Sequence, residues 1–302
     1  MKNHILLGKL LIDAFKVLRK AEKEIEESLT KIKFSENLEF TFKDLTFKES
    51  FKKNFFTLLI VSLLLESKVS KKNLVSYTKI VIYLRQIVTS TDNIIDNESK
   101  GLIFFKNLKN SIVSNSLIML TCQNELTKEC LELSKGKEET CRKIFDKIYL
   151  IALSESLRDK EQYINYPEYT YILEKIHSGI GGELLRISLE VPLDIEENEK
   201  LKEYAKGLYE IGMALQALDD FFDVEEDEES GKVNLLKSKL LYENDSESNI
   251  KEKYLKEVSQ GAYNGFKIME KNDFPINKKE AKRILKKLFE LRGLKEYTSI
   301  LD

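Results

Sequence analysis

The sequence predicts an all-α fold, and three observations lead to that prediction. The 302 residues include only 12 Gly and 3 Pro, so residues that interrupt helices are scarce. Apolar residues recur at intervals of three and four, as at Leu7, Leu11 and Ala14. The chain is 42% hydrophobic and 33% charged, with abundant Leu, Ile, Lys and Glu. Together these features exclude an all-β fold and predict a bundle of about ten helices.

The helices are predicted to follow one another with few interruptions. The N-terminal stretch MKNHILLGKLLIDAF is apolar but contains Lys9 and lacks a small-residue cleavage site, which predicts a helix rather than a signal peptide. The apolar run from Phe55 to Leu65 predicts a buried helix that is too short to span a bilayer. Breaks are predicted in the Phe- and Lys-rich residues 32–50, at turns in 163–167 and 191–198, and in a long loop or lid over 230–249.

Composition narrows the classes of function. Forty-nine basic and fifty-one acidic residues give a net charge of -2, which argues against a nucleic-acid partner. The three cysteines show no CxxC spacing, and His4 and His177 are the only histidines, so neither a disulfide framework nor a zinc site is indicated. No linker or repeat divides the chain. We therefore expect a single cytoplasmic domain over residues 1–302 with no transmembrane segment.

A first acidic cluster, TDNIIDNE, ends the helical stretch that begins near Lys79. Asp92 and Asp96 are four positions apart, so on a helix both carboxylates point the same way, about 6 Å apart along the axis. Such a pair repels unless a positive charge lies between its members. Taken alone, this cluster is also compatible with a solvated helix end.

A second acidic cluster, QALDDFFDVEED, follows an apolar run. Asp219, Asp223 and Asp227 are spaced by four and are predicted to form one acidic stripe along two helical turns. Hard oxygen ligands flanked by apolar residues suit Mg²⁺ better than zinc. Two such helices facing each other would hold several Mg²⁺ ions at the mouth of an apolar cavity, an arrangement suited to ionising a diphosphate ester.

The two clusters resemble the aspartate-rich motifs of the class I isoprenoid synthases. TDNIIDNESKG is similar to the first motif, DDxxD, with Asn93 in place of its second acid. QALDDFFD resembles the second motif, and DVEEDEESGKVNLL is similar to a stretch of the phytoene and squalene synthases. The segment KIHSGIGGELLRISLEV resembles the one that precedes the second motif in both groups. The resemblance covers Leu84 to Leu236, about half the chain.

This resemblance implies an all-α bundle around a central apolar cavity, a Mg²⁺ cofactor, a prenyl diphosphate substrate and a homodimer. It also implies roles for the matching residues. The metal ligands would be Asp92, Asp96, Asp219, Asp223 and Asp227, with the first four also assigned as catalytic. Contacts to the diphosphate would come from Lys232, with Lys100 and Arg186 as weaker candidates. The substrate pocket would include Gln216, Gly179 and Gly182, and these glycines with Gly181 would permit a helix break, a close approach of substrate or a helix–helix packing point.

Departures from the family pattern bear on the activity. Nothing matches the basic N-terminal motif that holds isopentenyl diphosphate, and Ile180 stands where a diphosphate-binding lysine would lie. The paired arginines after the first motif are reduced to Lys100. Each missing charge-assisted hydrogen bond would cost about 1.5–3 kcal/mol. Ordinary head-to-tail elongation is therefore disfavoured.

Several functions stay open on the sequence. The preferred prediction is a terpene synthase that ionises one allylic prenyl diphosphate, followed by cyclisation or elimination. A prenyltransferase is the alternative, either head-to-head like squalene and phytoene synthases or head-to-tail like polyprenyl diphosphate synthases. A non-catalytic helical partner subunit is the third hypothesis, since an inactive relative would also show substituted motifs.

Overall fold

Helices dominate the structure, which confirms the predicted all-α fold. The computed structural model describes residues 2–32, 38–43, 45–95, 100–291 and 294–301. Fourteen α-helical segments lie within these ranges: α1 (Lys2–Leu29), α2 (Phe47–Lys53), α3 (Phe55–Glu66), α4 (Leu74–Ile95), α5 (Ser111–Leu133), α6 (Glu138–Ser156), α7 (Tyr169–Tyr171), α8 (Leu184–Arg186), α9 (Glu190–Ile195), α10 (Glu199–Phe222), α11 (Val224–Glu229), α12 (Leu235–Tyr242), α13 (Glu247–Lys271) and α14 (Lys278–Leu291).

The described residues cluster into two compact units. The first unit comprises residues 8–142 and 191–198, and the second comprises residues 1–7, 143–190 and 199–302. The single domain expected from the sequence stays a prediction, as does the central apolar cavity. Within the ranges that the structure describes, no helix is both long and apolar enough to traverse a lipid bilayer.

The first unit is built on the packing of α4 against α5. The apolar run predicted as a buried helix is α3, in which residues 57–64 are all buried. Strands β1 (Phe40–Phe42) and β2 (Ile103–Phe105) form an antiparallel pair in which the rings of Phe40 and Phe105 stack with centroids 4.3 Å apart. Strand β1 and the first residues of α2 lie in the stretch 32–50, which was predicted to be irregular. Cys122, Cys130 and Cys141 are free and buried.

The second unit is built around α10, which packs against α13 on one side and against a π-helical stretch on another. That stretch runs from Ile172 to Glu183 and continues into α8. Glycines allow both close approaches. A Cβ on Gly207 would lie 2.9 Å from the carbonyl oxygen of Gly265, and a Cβ on Gly181 would lie 2.7 Å from that of Gly212. The glycines therefore bring three helices into backbone contact.

Two predicted breaks are right only in part. Of residues 191–198, predicted as a turn, α9 includes those up to Ile195 and passes through Pro192, so that only 196–198 lie outside a helix. A 3₁₀ turn at Ile187–Leu189 comes just before α9. Because proline cannot donate the i→i−4 hydrogen bond, the tighter turn lets the helix continue. Residues 230–249 were predicted as a long loop, but α12 lies within them. Asn234 caps this helix by accepting a hydrogen bond from the Lys237 amide.

Candidate active site at the second aspartate cluster

The acidic stripe predicted over Asp219, Asp223 and Asp227 is interrupted at Asp223. Helix α10 ends at Phe222, and Asp223 has φ -97° and ψ 12° before α11 begins at Val224. The four aspartates of the segment consequently divide into two kinds. Asp219 and Asp223 are half-buried, whereas Asp220 and Asp227 are buried at 1% and 4% exposure.

Asp220 is held by side chains and backbone from three elements. Its Oδ2 lies 3.0 Å from His177 Nε2 and accepts a hydrogen bond from the Leu235 amide at 2.6 Å. Its Oδ1 accepts from Gln216 Nε2 at 3.1 Å. Burial alone would raise the pKa of Asp220, but His177 and these hydrogen bonds outweigh it and hold the pKa below its ordinary value. Asp220 therefore has a structural role: its carboxylate connects α10 to the π-helical stretch and to α12.

Asp227 is similarly engaged. Arg158 Nη2 donates to its Oδ1 at 2.8 Å, and Asn234 Nδ2 donates to its Oδ2 at 2.8 Å. Burial raises the pKa of Asp227 despite the opposing charge of Arg158. Each carboxylate oxygen accepts one hydrogen bond, and the role of Asp227 as a Mg²⁺ ligand stays a prediction.

The predicted diphosphate contact Lys232 lies on a short antiparallel connection between two loops. Lys232 bridges to Asp159, with the Lys160 amide donating to the Gly231 carbonyl at 2.9 Å and the Val233 amide donating to the Arg158 carbonyl at 2.6 Å. The Lys232 amide also donates to the Asp227 carbonyl at 2.7 Å. The side chain is half-buried, and its positive charge offsets part of the burial that raises the pKa values of Asp227 and Glu155. The backbone of Lys232 is thus fixed next to the second cluster.

The predicted pocket residues mark a helix crossing. A Cβ on Gly179 would collide with the Ser154 side chain, and one on Gly182 would collide with the ring of Tyr209. Gln216 has its amide on Asp220, and its Cβ would lie 2.8 Å from a Cβ on Gly181. The packing interpretation of the three glycines therefore has direct support, and the helix is also irregular here, as the break interpretation expects.

Arg186, the other predicted diphosphate contact in the second unit, already pairs with a carboxylate. Arg186 Nη1 donates to both oxygens of Glu183, at 2.7 and 3.0 Å, and Lys147 lies 3.1 Å from the same carboxylate. Ile180, at the position where the family pattern has a lysine, is 5% exposed. Neither position offers an unshared positive charge.

In the first unit, Asp92 is exposed one turn before the end of α4, and Asp96 lies outside the described residues. Asn93, next to Asp92, is buried and connects α4 to Lys100 and Asn115. Its Oδ1 accepts from the Lys100 amide at 3.0 Å, while its Nδ2 donates to the Lys100 carbonyl and to Asn115 Oδ1, the latter at 3.0 Å. Lys100 is exposed.

The described residues alone do not form a complete metal centre. Among them, no three His, Cys, Asp or Glu side chains gather closely enough to hold an ion. Asp219 and Asp223 nevertheless offer the hard oxygen donors that Mg²⁺ prefers, on consecutive turns of one unit. The donor chemistry of this pair therefore fits the predicted cofactor.

Sequence reasoning missed the residues that build the floor of this site. No role was assigned from the sequence to Arg158, His177 or Asn234. Asp220 was included in the second motif, but no function was assigned to it. Asn234 could have been found, since Asn directly before an apolar pair is an N-cap signal. The partners of Asp220 and Asp227 could not, because His177 is 43 residues from Asp220 and Arg158 is 69 residues from Asp227.

Comparison with known proteins finds likeness only among solved structures. No protein-family profile matches the chain, and no curated protein matches it. The geranyltranstransferase of Thermotoga maritima is 15% identical, with 97% of this chain and 99% of that chain covered and a TM-score of 0.49. The octaprenyl pyrophosphate synthase of Helicobacter pylori is 17% identical, with 97% and 98% covered and a TM-score of 0.49. A geranyltransferase of Helicobacter pylori, solved with magnesium and isoprenyl diphosphate, is 14% identical over 92% and 98%, with a TM-score of 0.45.

Proposed function

We propose that the protein is a Mg²⁺-dependent enzyme that binds an allylic prenyl diphosphate and ionises it. The observation that carries this proposal is the division of the second aspartate cluster. Asp220 and Asp227 are buried and hydrogen-bonded from neighbouring elements, which fixes the turn between α10 and α11. Asp219 and Asp223 are half-buried at that turn, and their carboxylates are the hard oxygen donors that Mg²⁺ prefers.

The proposed roles follow from this arrangement. Asp219 and Asp223 would bind Mg²⁺, with several ions per site, and the same role stays the prediction for Asp92 and Asp96. The bound ions would supply charge that stabilises the departing diphosphate. Lys232 would contact diphosphate oxygens as a point charge, because its backbone is fixed beside the cluster.

The other predicted contacts have weaker support. Arg186 would have to leave Glu183 to reach a diphosphate. Lys100 is exposed, and its backbone is held by Asn93. Gln216, Gly179 and Gly182 have packing or hydrogen-bonding roles that do not depend on substrate. These assignments, the homodimer and the cytoplasmic location stay predictions.

Two fates of the ionised substrate are proposed for testing. Prenyl transfer to a second substrate comes first, and it is the kind of activity for which the similar geranyltranstransferase and octaprenyl pyrophosphate synthase are named. Cyclisation or elimination of a single substrate, the terpene synthase reaction, comes second. The observation that favours the second is the burial of Ile180, with no lysine at that position to counter a second diphosphate.

Product analysis tests the proposal and separates the two fates. Protein and Mg²⁺ are incubated with geranyl, farnesyl or geranylgeranyl diphosphate, with and without isopentenyl diphosphate. A longer diphosphate formed only with isopentenyl diphosphate, or a hydrocarbon with twice the carbon number, establishes prenyl transfer. A hydrocarbon or alcohol of unchanged carbon number, formed without isopentenyl diphosphate, establishes the terpene synthase reaction. The absence of any product from all three substrates contradicts the proposal.

A matched pair of variants links any product to the cluster. Asp219→Asn removes one proposed ligand, and Glu226→Gln makes the same chemical change at an exposed carboxylate on α11. Product formation should fall at least about 100-fold in Asp219→Asn, since even hydrogen-bond partners of metal ligands are worth 10–100-fold. It should stay near the wild-type rate in Glu226→Gln.

A further inference from the structure

His177 and Asp220 form a buried polar pair that the proposed function does not use. Both residues are 1% exposed, and His177 Nε2 lies 3.0 Å from Asp220 Oδ2. His177 belongs to the π-helical stretch, whereas Asp220 belongs to the last turn of α10. A buried carboxylate is costly unless its oxygens are hydrogen-bonded, so this contact does more than fill space.

The Asp220 carboxylate joins three elements. It receives the His177 ring from the π-helical stretch, the Gln216 amide from α10 and the Leu235 backbone amide from the start of α12. Asn234 Nδ2 adds a fourth connection by donating to the Asp220 carbonyl at 2.8 Å. Of the two side chains on this carboxylate, only His177 comes from outside α10.

These contacts bear directly on the proposed metal ligands. Asp219 precedes Asp220 in the chain, and Asp223 lies three residues after it, at the point where α10 ends. Asn234 and Leu235, which closely follow Lys232 in the chain, donate to the Asp220 carbonyl and to its carboxylate respectively. If Asp220 loses a donor, the turn that carries both ligands and the segment that carries Lys232 lose a shared anchor.

We propose that His177 is a positioning residue that fixes Asp219, Asp223 and Lys232 for Mg²⁺-diphosphate through its hydrogen bond to Asp220. This inference rests on the proposed function. The contact uses Nε2 alone, since the buried Nδ1 of His177 has no hydrogen-bond partner among the described residues. The role therefore requires a donor at the position of Nε2 and does not require an imidazole ring.

Two isosteric substitutions test this requirement. His177→Gln places an amide nitrogen near the position of Nε2 and keeps the donor to Asp220. His177→Asn places its amide nitrogen near the position of Nδ1 and cannot reach. The affinity for inorganic diphosphate in the presence of Mg²⁺ is measured by titration calorimetry, well below the unfolding temperature of each variant. Unfolding midpoints without ligand are measured in parallel.

The expected result is a loss of about tenfold in affinity for His177→Asn and a change of less than about twofold for His177→Gln, the scale seen for residues that orient metal ligands. Asp220→Asn, which removes the charge but keeps the size, should also lose about tenfold and serves if His177→Asn does not fold. Wild-type affinity in both His177→Asn and Asp220→Asn, whatever their unfolding midpoints, would overturn the positioning role. No binding to the wild-type protein would instead refute the proposed function, and the positioning role would fall with it.

Discussion

At the scale of single residues, the contacts of Asn93 show why an amide suits this position of the first cluster. Both ends of its amide are used, because Oδ1 accepts from the Lys100 amide and Nδ2 donates to the Lys100 carbonyl and to Asn115. A carboxylate could make only the first of these contacts. The residue is 1% exposed, so the lost donors could not be replaced by water.

Restoring the acidic motif by Asn93→Asp should therefore destabilise the protein. We expect the free energy of unfolding to fall by about 2 kcal/mol or more, since a buried charge would face the Lys100 carbonyl and Asn115 Oδ1 without donors. Urea unfolding at neutral pH measures the change. Gln123→Glu, the same chemical change at an exposed position of α5, should change stability by less than about 0.5 kcal/mol. Equal stability of the two variants would contradict the role given to Asn93.

Arg158 presents a second prediction at this scale. The Arg158 side chain is 14% exposed and that of its partner Asp227 is 6% exposed, so the pair is largely removed from water. Arg158→Leu should cost about 3 kcal/mol at neutral pH because it leaves a buried carboxylate without its counter-charge. Adding Asp227→Asn to Arg158→Leu should recover part of the loss, because the uncompensated charge is then gone. A double variant as unstable as Arg158→Leu would contradict this account.

The cost of Arg158→Leu should also depend on pH. Burial already raises the pKa of Asp227 above its ordinary value, and loss of the Arg158 charge raises that pKa further. The folded variant then takes up a proton more readily than the unfolded chain, so its stability relative to the wild type improves as the pH falls toward the pKa of Asp227. Urea unfolding at pH 7.5 and pH 5 should show a smaller deficit at pH 5. A deficit that grows at pH 5 would be inconsistent with this sign.

At the scale of elements, the crossing of the π-helical stretch with α10 places the second cluster. A Cβ on Gly181 would lie 2.7 Å from the Gly212 carbonyl oxygen and 2.8 Å from the Gln216 Cβ. Such distances force the helices apart, because neither obstacle is the end of a flexible side chain. His177 reaches Asp220 across this crossing, and Gln216 reaches the same carboxylate from within α10. The packing of the two helices and the geometry of the aspartates are thus coupled.

Gly181→Ala should consequently lower the free energy of unfolding by about 2–3 kcal/mol, the usual cost of overpacking a tight contact. The control is Gly261→Ala on α13, where the added Cβ would meet only Ala214 at an ordinary 3.7 Å. That variant should be stabilised by up to about 1 kcal/mol, since alanine favours a helix over glycine. Chemical denaturation of the three proteins gives both values, and a Gly181→Ala variant as stable as Gly261→Ala would contradict the tight crossing.

Helix α12 is an element that the sequence did not predict. Its residues LLKSKLLY carry four leucines that do not follow a one-sided pattern, and they lie in a polar stretch. The helix is fixed by tertiary contacts instead, with Leu235, Leu236 and Ser238 buried and the Ser238 hydroxyl donating to the Pro167 carbonyl at 2.9 Å. Local propensity is a weak signal for so short a helix, because packing supplies most of its stability.

At the scale of the whole molecule, the fold class was predictable from the sequence, but the side-chain contacts between residues distant in the chain were not. The scarcity of Gly and Pro and the helical periodicity sufficed for an all-α fold. The spacing of Asp219 and Asp223 likewise sufficed to place them on consecutive turns. The burial of Asp220 and Asp227 depends on His177 and Arg158, which the chain brings to them only after folding. Spacing alone therefore did not show that Asp227 is buried, and its role as a metal ligand stays a prediction.

Ligand-linked stability separates an enzyme from a helical partner subunit. A ligand that binds only the folded state stabilises it by about 2.7 kcal/mol at 100 times its Kd. We therefore expect Mg²⁺ together with inorganic diphosphate to raise the thermal unfolding midpoint by a few degrees. Mg²⁺ with chloride as its only counter-ion should raise the midpoint less, and diphosphate with EDTA should not raise it at all. An unchanged midpoint under all three conditions would favour the non-catalytic subunit.

The most direct test of the central claim is the rate at which diphosphate is released from farnesyl diphosphate and its shorter and longer allylic homologues. The account predicts release with Mg²⁺, none with EDTA, and a fall in kcat/KM of at least about 100-fold in Asp223→Asn but not in Glu226→Gln. Release that persists in EDTA, or that is unaffected by Asp223→Asn, would contradict the account. So would the absence of release from every allylic diphosphate tested.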